Sequence, residues 1–256
     1  MRGFAEKTII VCGGATGIGA ATTERLAAEG ARVVVGDLNR ELAEATADRI
    51  RVSGGTAIAA EFDLADEVSI RELISRSLSE FGSIHGLFNV GADLSPATLG
   101  RDHDLLEMDP AVWRRTFEVN LLGFARTCRE VIPHFLKQGG GAIVNTTSGA
   151  YFVGEPTRPA YAASKAGVNT LTRHIASRWG KNGIRCNGVS PGFVLTETAR
   201  RTLSETDLSA ALERNHSTRL GEPSDLASAV TFLLSDEAEW INGQVWVIDG
   251  GKAFRD

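Results

Sequence analysis

A doubly wound parallel α/β sheet of seven strands, with helices on both faces and a single domain, is the fold that three features of this 256-residue chain predict. Short apolar runs alternate with longer helix-periodic ones, a glycine-rich turn follows the first apolar run, and no linker, repeat or low-complexity tract divides the chain. The apolar runs at 8–12, 32–37, 56–61, 86–90, 142–147, 184–190 and 245–248 are short and rich in β-branched residues, as strands are. The periodic stretches between them, at 17–29, 41–52, 66–81, 109–137, 159–179 and 224–234, predict helices. Asp66 and Asp109 stand where N-caps belong, Pro110 occupies a first helical position, and Gly30 and Gly82 stand where glycine closes a helix. Such alternation allows an open sheet or a closed eight-stranded barrel. The chain offers no eighth strand, which favours the open sheet.

Composition narrows the function classes. With 43% hydrophobic and 23% charged residues the chain reads as globular, and no segment has the roughly 18 continuous apolar residues of a membrane span. A net charge of −5 and the lack of any Lys/Arg run argue against nucleic acid or an anionic membrane, leaving small molecules as the expected partners. The opening MRGFAEKT runs into an apolar strand without the pattern of a secretory signal, so a cytoplasmic protein is expected. Cys12, Cys128 and Cys186 lack CxxC spacing, and His85, His103, His134, His174 and His216 show no ligand spacing; no metal site is predicted.

The first strand runs into Gly13, Gly14, Ala15, Thr16, Gly17, Ile18 and Gly19, followed by a helix. Glycines let a backbone approach a pyrophosphate, and the N–H groups and positive end of the helix favour an anion. The second strand ends at Asp37, eighteen residues beyond Gly19, near where an acid accepts hydrogen bonds from an adenosine ribose. Strand, turn, helix and acid together predict a Rossmann-type NAD site. A carboxylate beside a 2′-phosphate disfavours NADP, and Arg40 is the one nearby cation that opposes this preference.

Tyr161 and Lys165, in YAASK, lie four residues apart on one helix and project from one face. A free phenol has a pKa of about 10, and a neighbouring ammonium favours its phenolate, which suits proton transfer accompanying hydride transfer at carbon.

The glycine-rich turn, Asp37, YAASK and the later SPG together resemble the short-chain dehydrogenase/reductase family over nearly the whole chain. By that resemblance Ser148 hydrogen-bonds the substrate oxygen, and Asn120 completes a proton-relay tetrad with Ser148, Tyr161 and Lys165. Asp63 and Leu64 match the adenine-side turn, and Asn89 the start of the motif after the fourth strand. Pro191, Gly192 and Thr196 match the segment holding the nicotinamide end, and Tyr161 and Lys165 also contact the cofactor. The family commonly forms tetramers through helices matching 109–137 and 159–179. Two departures stand out: Cys12 replaces the usual threonine, and Asn89, Val90, Gly91, Ala92 replaces Asn-Asn-Ala-Gly. Val90 lacks the hydrogen-bonding amide, and the glycine moves to position 91.

The expected function is therefore NAD-dependent interconversion of a secondary alcohol and a ketone, with Tyr161 as general acid/base; the alternative is a non-catalytic NAD-binding sensor or scaffold. Substrate loops are expected near 91–108, 149–158 and 193–219, the last long enough for a lid. They contribute Asp93, Leu94, Tyr151, Phe152, Phe193 and Leu195, with Arg101, His103, Glu155 and His216 as polar candidates. A sugar, a steroid, a cyclic diol or an acyl thioester all fit this reading.

Overall fold

The computed structural model describes residues 1–254. Seven strands, β1 (Thr8–Cys12), β2 (Arg32–Asp37), β3 (Thr56–Glu61), β4 (Gly86–Asn89), β5 (Gly141–Thr146), β6 (Ile184–Pro191) and β7 (Val245–Ile248), pair in parallel in the order β3-β2-β1-β4-β5-β6-β7. The sheet is open, as the missing eighth strand predicts. The helices are α1 (Gly17–Ala28), α2 (Arg40–Val52), α3 (Glu67–Phe81), α4 (Pro110–Phe117), α5 (Gly123–Gln138), α6 (Pro159–Trp179), α7 (Glu197–Thr202), α8 (Glu205–Glu213) and α9 (Pro223–Leu234).

Apolar strand residues bury toward both faces, so the sheet sits between two cores. On one side Ile10, Leu87 and Ile143 pack with Leu73, Phe124, Phe135 and Val168 of α3, α5 and α6. On the other, Val11, Val33 and Phe88 pack with Leu26, Ala47, Val230 and Leu233 of α1, α2 and α9. Each of the larger side chains contributes roughly 1.5–3 kcal/mol when fully removed from water.

The chain ends its helices where its residues say it should. Asp66 accepts the Val68 amide at 2.8 Å and Asp109 the Ala111 amide at 2.8 Å, while Gly82 adopts φ +77°. The structure differs from expectation in two stretches. The predicted helix over 109–137 is broken at Glu118–Leu122 by a single wider turn with i→i+5 bonding. The segment expected as a long loop carries α7 and α8, capped by Thr196 and Ser204.

From β1 the chain moves outward through β2 to β3, then returns to β4 on the other side of β1. This reversal opens a crevice at the carboxyl ends of β1 and β4, the usual ligand position in such sheets.

Candidate active site

The turn after β1 is shaped by contacts that exclude side chains. A Cβ on Gly19 would lie 1.9 Å from the Gly13 carbonyl oxygen, and one on Gly13, whose φ is +95°, would lie 2.5 Å from the Gly91 nitrogen. The Gly13 and Gly14 amides donate to the Gly36 carbonyl at 2.7 and 3.0 Å, tying the turn to β2. Helix α1 then starts at Gly17 with no side-chain cap from Thr16 and no acid in its first turn, whereas Asn39, Asp66 and Asp109 cap α2, α3 and α4. An uncapped, positive helix end behind a cradle without side chains fits a pyrophosphate. Thr196 reaches this turn from the other side, its Cγ2 lying 3.2 Å from where a Gly17 Cβ would stand. Ile18 packs against the core beneath, and Gly192 is held where a Cβ would meet Asp249 Cα at 2.5 Å, just after Pro191 ends β6.

Asp37 ends β2 with one carboxylate oxygen accepting the Ala15 amide at 3.0 Å and the other the Asn39 amide at 3.1 Å. Its side chain therefore stands beside the glycine-rich turn. Asp63 accepts the Ala65 amide at 2.8 Å, and Leu64 is buried against Gly91 and Gly123. Asn89 is fully buried within a polar chain, where its amide donates to Asn145 Oδ1 at 2.9 Å and its oxygen accepts from Thr127 at 2.9 Å. The departures around it are accommodated. The Val90 and Gly91 amides both donate to the Cys12 carbonyl, and Val90 packs into the core. Gly91 serves clearance, since its φ is not positive, while a Cβ there would lie 2.9 Å from Leu64 Cδ1.

Tyr161 and Lys165 occupy the first turns of α6, and Ser148 follows β5. The Ser148 hydroxyl, which accepts the Ala150 amide at 3.2 Å, is near enough to the Tyr161 phenol to favour its ionised form. Lys165, 1% exposed, donates from Nζ to the Thr146 carbonyl at 3.0 Å and lies 5.8 Å from the Tyr161 ring centroid and 5.0 Å from that of Phe124. Burial pushes the Tyr161 phenol up, against the opposing influences of Ser148 and the nearby Arg158 charge. Burial also pulls Lys165 down to about 7. The sequence led us to expect a phenol held down by its lysine; in the structure removal from water raises it, and the opposing influences come from Ser148 and Arg158. Asn120 lies in the wider turn between α4 and α5, and its Oδ1 accepts the Asp93 amide at 2.9 Å. Buried polar atoms without partners among the described residues include Asn120 Nδ2 in the wider turn, Thr147 Oγ1 just after β5 and Ser190 Oγ near the end of β6. These unmet groups suit a polar ligand.

Several charges of the surrounding loops are already paired. Burial works against the Asp93 carboxylate, but the Ser95 amide, Arg115 and Thr98 hold its pKa below the usual range. Glu155 pairs with Arg158, Arg101 with Asp109 at 3.3 Å, and His216 stacks on Phe254 with centroids 5.7 Å apart. Tyr151 and Phe152 meet edge to face at 4.6 Å. Sequence reasoning passed over Asp102. This carboxylate, 2% exposed, accepts the Tyr161 amide at 2.8 Å and the Ala160 amide at 3.2 Å. No local pattern marks a cap supplied from more than fifty residues away.

An open parallel sheet with a glycine cradle at its switch point, beside a Ser–Tyr–Lys cluster, defines a nucleotide-binding oxidoreductase. The chain belongs to the short-chain dehydrogenase/reductase family. A family model described as Enoyl-(Acyl carrier protein) reductase matches residues 13–253. The chain is 38% identical over 256 residues to a 7alpha-hydroxysteroid dehydrogenase of Bacteroides fragilis, covering all of this chain and 98% of that protein. It is also 38% identical over 248 residues to a cis-4-hydroxycyclohexanecarboxylate dehydrogenase of Sinomonas cyclohexanicum, covering 97% of each. Among solved structures, a 7α-hydroxysteroid dehydrogenase complexed with NADH and 7-oxo glycochenodeoxycholic acid aligns with a TM-score of 0.90 at 32% identity, covering 97% of this chain and 94% of that one.

Proposed function

We propose that this protein is an NAD(H)-dependent oxidoreductase that interconverts a secondary alcohol and a ketone, with Tyr161 as general acid/base. The observation that carries this reading is the placement of the Tyr161 phenol within the influence of the Ser148 hydroxyl, with the Lys165 amine buried one helical turn away. Gly13, Thr16, Gly17, Ile18 and Gly19 would hold the pyrophosphate, Asp37 the adenosine ribose, and Asp63, Leu64 and Asn89 the adenine side. Pro191, Gly192 and Thr196 would hold the nicotinamide end, with Tyr161 and Lys165 on its ribose. The nicotinamide, when bound, supplies the hydride donor or acceptor. In the reductive direction Ser148 orients the carbonyl oxygen and Tyr161 delivers its proton; in the oxidative direction the phenolate takes the alcohol proton. Lys165 and Asn120 extend the path by which that proton exchanges with solvent.

The relatives' names direct attention to ring-borne secondary alcohols, hydroxysteroids and substituted cyclohexanols. The four-residue Tyr161–Lys165 spacing supports carbonyl reduction over enoyl reduction. A screen of such alcohols with NAD and of the matching ketones with NADH tests the function; a chain that binds NADH yet turns over none of them would be the sensor or scaffold instead. The Asp37 carboxylate supports NAD over NADP, by at least about tenfold in kcat/KM, or roughly 1.4 kcal/mol. Equal kcat/KM for the two cofactors would remove this assignment. We further propose a single functional domain over 1–256 with substrate loops at 91–108, 149–158 and 193–219, acting in the cytoplasm as a homotetramer. Three free, buried cysteines suit a reducing compartment, and no helix among the described residues is long and apolar enough to cross a membrane. Sedimentation showing only monomer at micromolar concentration would count against the tetramer.

A further inference from the structure

The carboxylate at Asp102 lies outside the Ser–Tyr–Lys cluster, yet it holds the segment that presents the tyrosine. Three bonds converge from this one residue. Its carbonyl oxygen accepts the Arg158 amide at 2.9 Å, Oδ1 accepts the Ala160 amide at 3.2 Å, and Oδ2 accepts the Tyr161 amide at 2.8 Å. First-turn amides have no acceptor within their own helix, so an outside group must supply one. The residue that would ordinarily cap α6, Arg158, provides no side-chain cap and adopts φ +65°, a left-handed conformation that a non-glycine residue holds only where its surroundings impose it. The Arg158 amide bond to Asp102 is part of that imposition.

The chemistry of the pairing is equally specific. Asp102 is buried and takes part in no ion pair among the described residues. A buried carboxylate is costly unless compensated, and here the compensation comes from two N–H donors and the positive end of a 21-residue helix. The 2.8 Å Tyr161 bond has the length of a charge-assisted one and is the tighter of the two. Asp102 also belongs to the first substrate loop, whose Leu99 carbonyl accepts the Asp102 amide at 3.2 Å.

We propose that Asp102 is a positioning residue for the reaction. By clamping the Tyr161 amide it fixes where the phenol stands relative to Ser148, and it couples the conformation of the 91–108 loop to that position. This inference rests on the reading of Tyr161 as the general acid/base.

The test is a double-mutant cycle on the full-length protein, with turnover normalised to NADH-binding sites. Asp102→Asn leaves one acceptor and sets an NH₂ group against the other amide, and Asp102→Ala removes both. Each is expected to lower kcat by about tenfold to 10²-fold, the range that small misplacement of a catalytic group produces, with NADH affinity unchanged within about twofold. In the Tyr161→Phe background the same substitutions are expected to lower the residual rate little, because the group they position is already gone. Equal losses in both backgrounds, or weakened NADH binding in step with kcat, would assign Asp102 to helix stability alone. Retention of kcat within about twofold in Asp102→Asn would likewise overturn the proposal. Should Tyr161→Phe itself keep wild-type turnover, the failure would belong to the assignment of Tyr161. If the Asp102 variants do not fold, hydrogen exchange on the wild type decides: the Ala160 and Tyr161 amides are expected to be protected like the core, and rapid exchange would show that the clamp does not persist.

Discussion

At the scale of single residues the sharpest expectation concerns the phenol. Tyr161→Phe keeps the ring and removes the hydroxyl, so kcat should fall by roughly 10²- to 10⁴-fold with NADH binding nearly intact. Retention of more than about a third of wild-type turnover, with chemistry rate-limiting, would end its assignment as acid/base. The sign of the pH dependence follows from burial. A phenol pushed above its ordinary value is protonated at neutrality and ready to donate, so ketone reduction needs no alkaline activation. Alcohol oxidation needs the phenolate, and its rate should rise with pH. Lys165→Met removes the amine buried beside the ring; a rise moved to higher pH would show that its charged form supports the phenolate, and an unmoved rise that it does not. Pre-steady-state oxidation profiles of the two proteins provide the comparison.

At the scale of elements, the start of α1 is the least tolerant of change. Gly19→Ala drives a Cβ against the Gly13 carbonyl, which is backbone and cannot rotate away. The turn must open, at a cost of about 1–3 kcal/mol or more, and NADH titration should show affinity lost along with thermal stability. Unchanged affinity would mean that the cradle does not carry the pyrophosphate. Strand and helix identities were legible because they depend on local periodicity and on caps such as Asp66 and Asp109. The wider turn at Glu118–Leu122 was not, because it interrupts a continuous helical pattern without a proline or glycine inside it. Helix α8 was readable in principle: Ser204 and Asp207 form a capping box three residues apart. The expectation of a lid obscured it. Asp102 illustrates the other limit, since its partners at 158–161 come close only after the sheet is assembled.

At the scale of the whole molecule, acid sensitivity should begin at the end of the sheet opposite the site. His85 Nδ1 accepts the Thr8 amide at 3.0 Å, and burial, aided by Lys7 and Arg32, lowers its pKa. In the unfolded chain this imidazole protonates near pH 6.5, whereas in the folded protein it resists the proton. Its stabilising share is therefore complete above that pH and is lost as pH falls below it. Melting temperatures at pH 7.5 and 5.5 should diverge less in His85→Gln than in the wild type, and an identical divergence would remove His85 from the account. The core between this sheet and the helices on one face holds Cys12, Cys128 and Cys186, where burial pushes Cys128 up to about 12 and the other two thiols well above their ordinary value. A colorimetric disulfide reagent such as Ellman's needs an accessible thiolate, so the native chain should release no colour, while every molecule that opens fully releases three equivalents. The protein thus carries its own unfolding counter, with which the frequency of global opening can be timed in plain buffer without a denaturant, a fluorophore or an added tag.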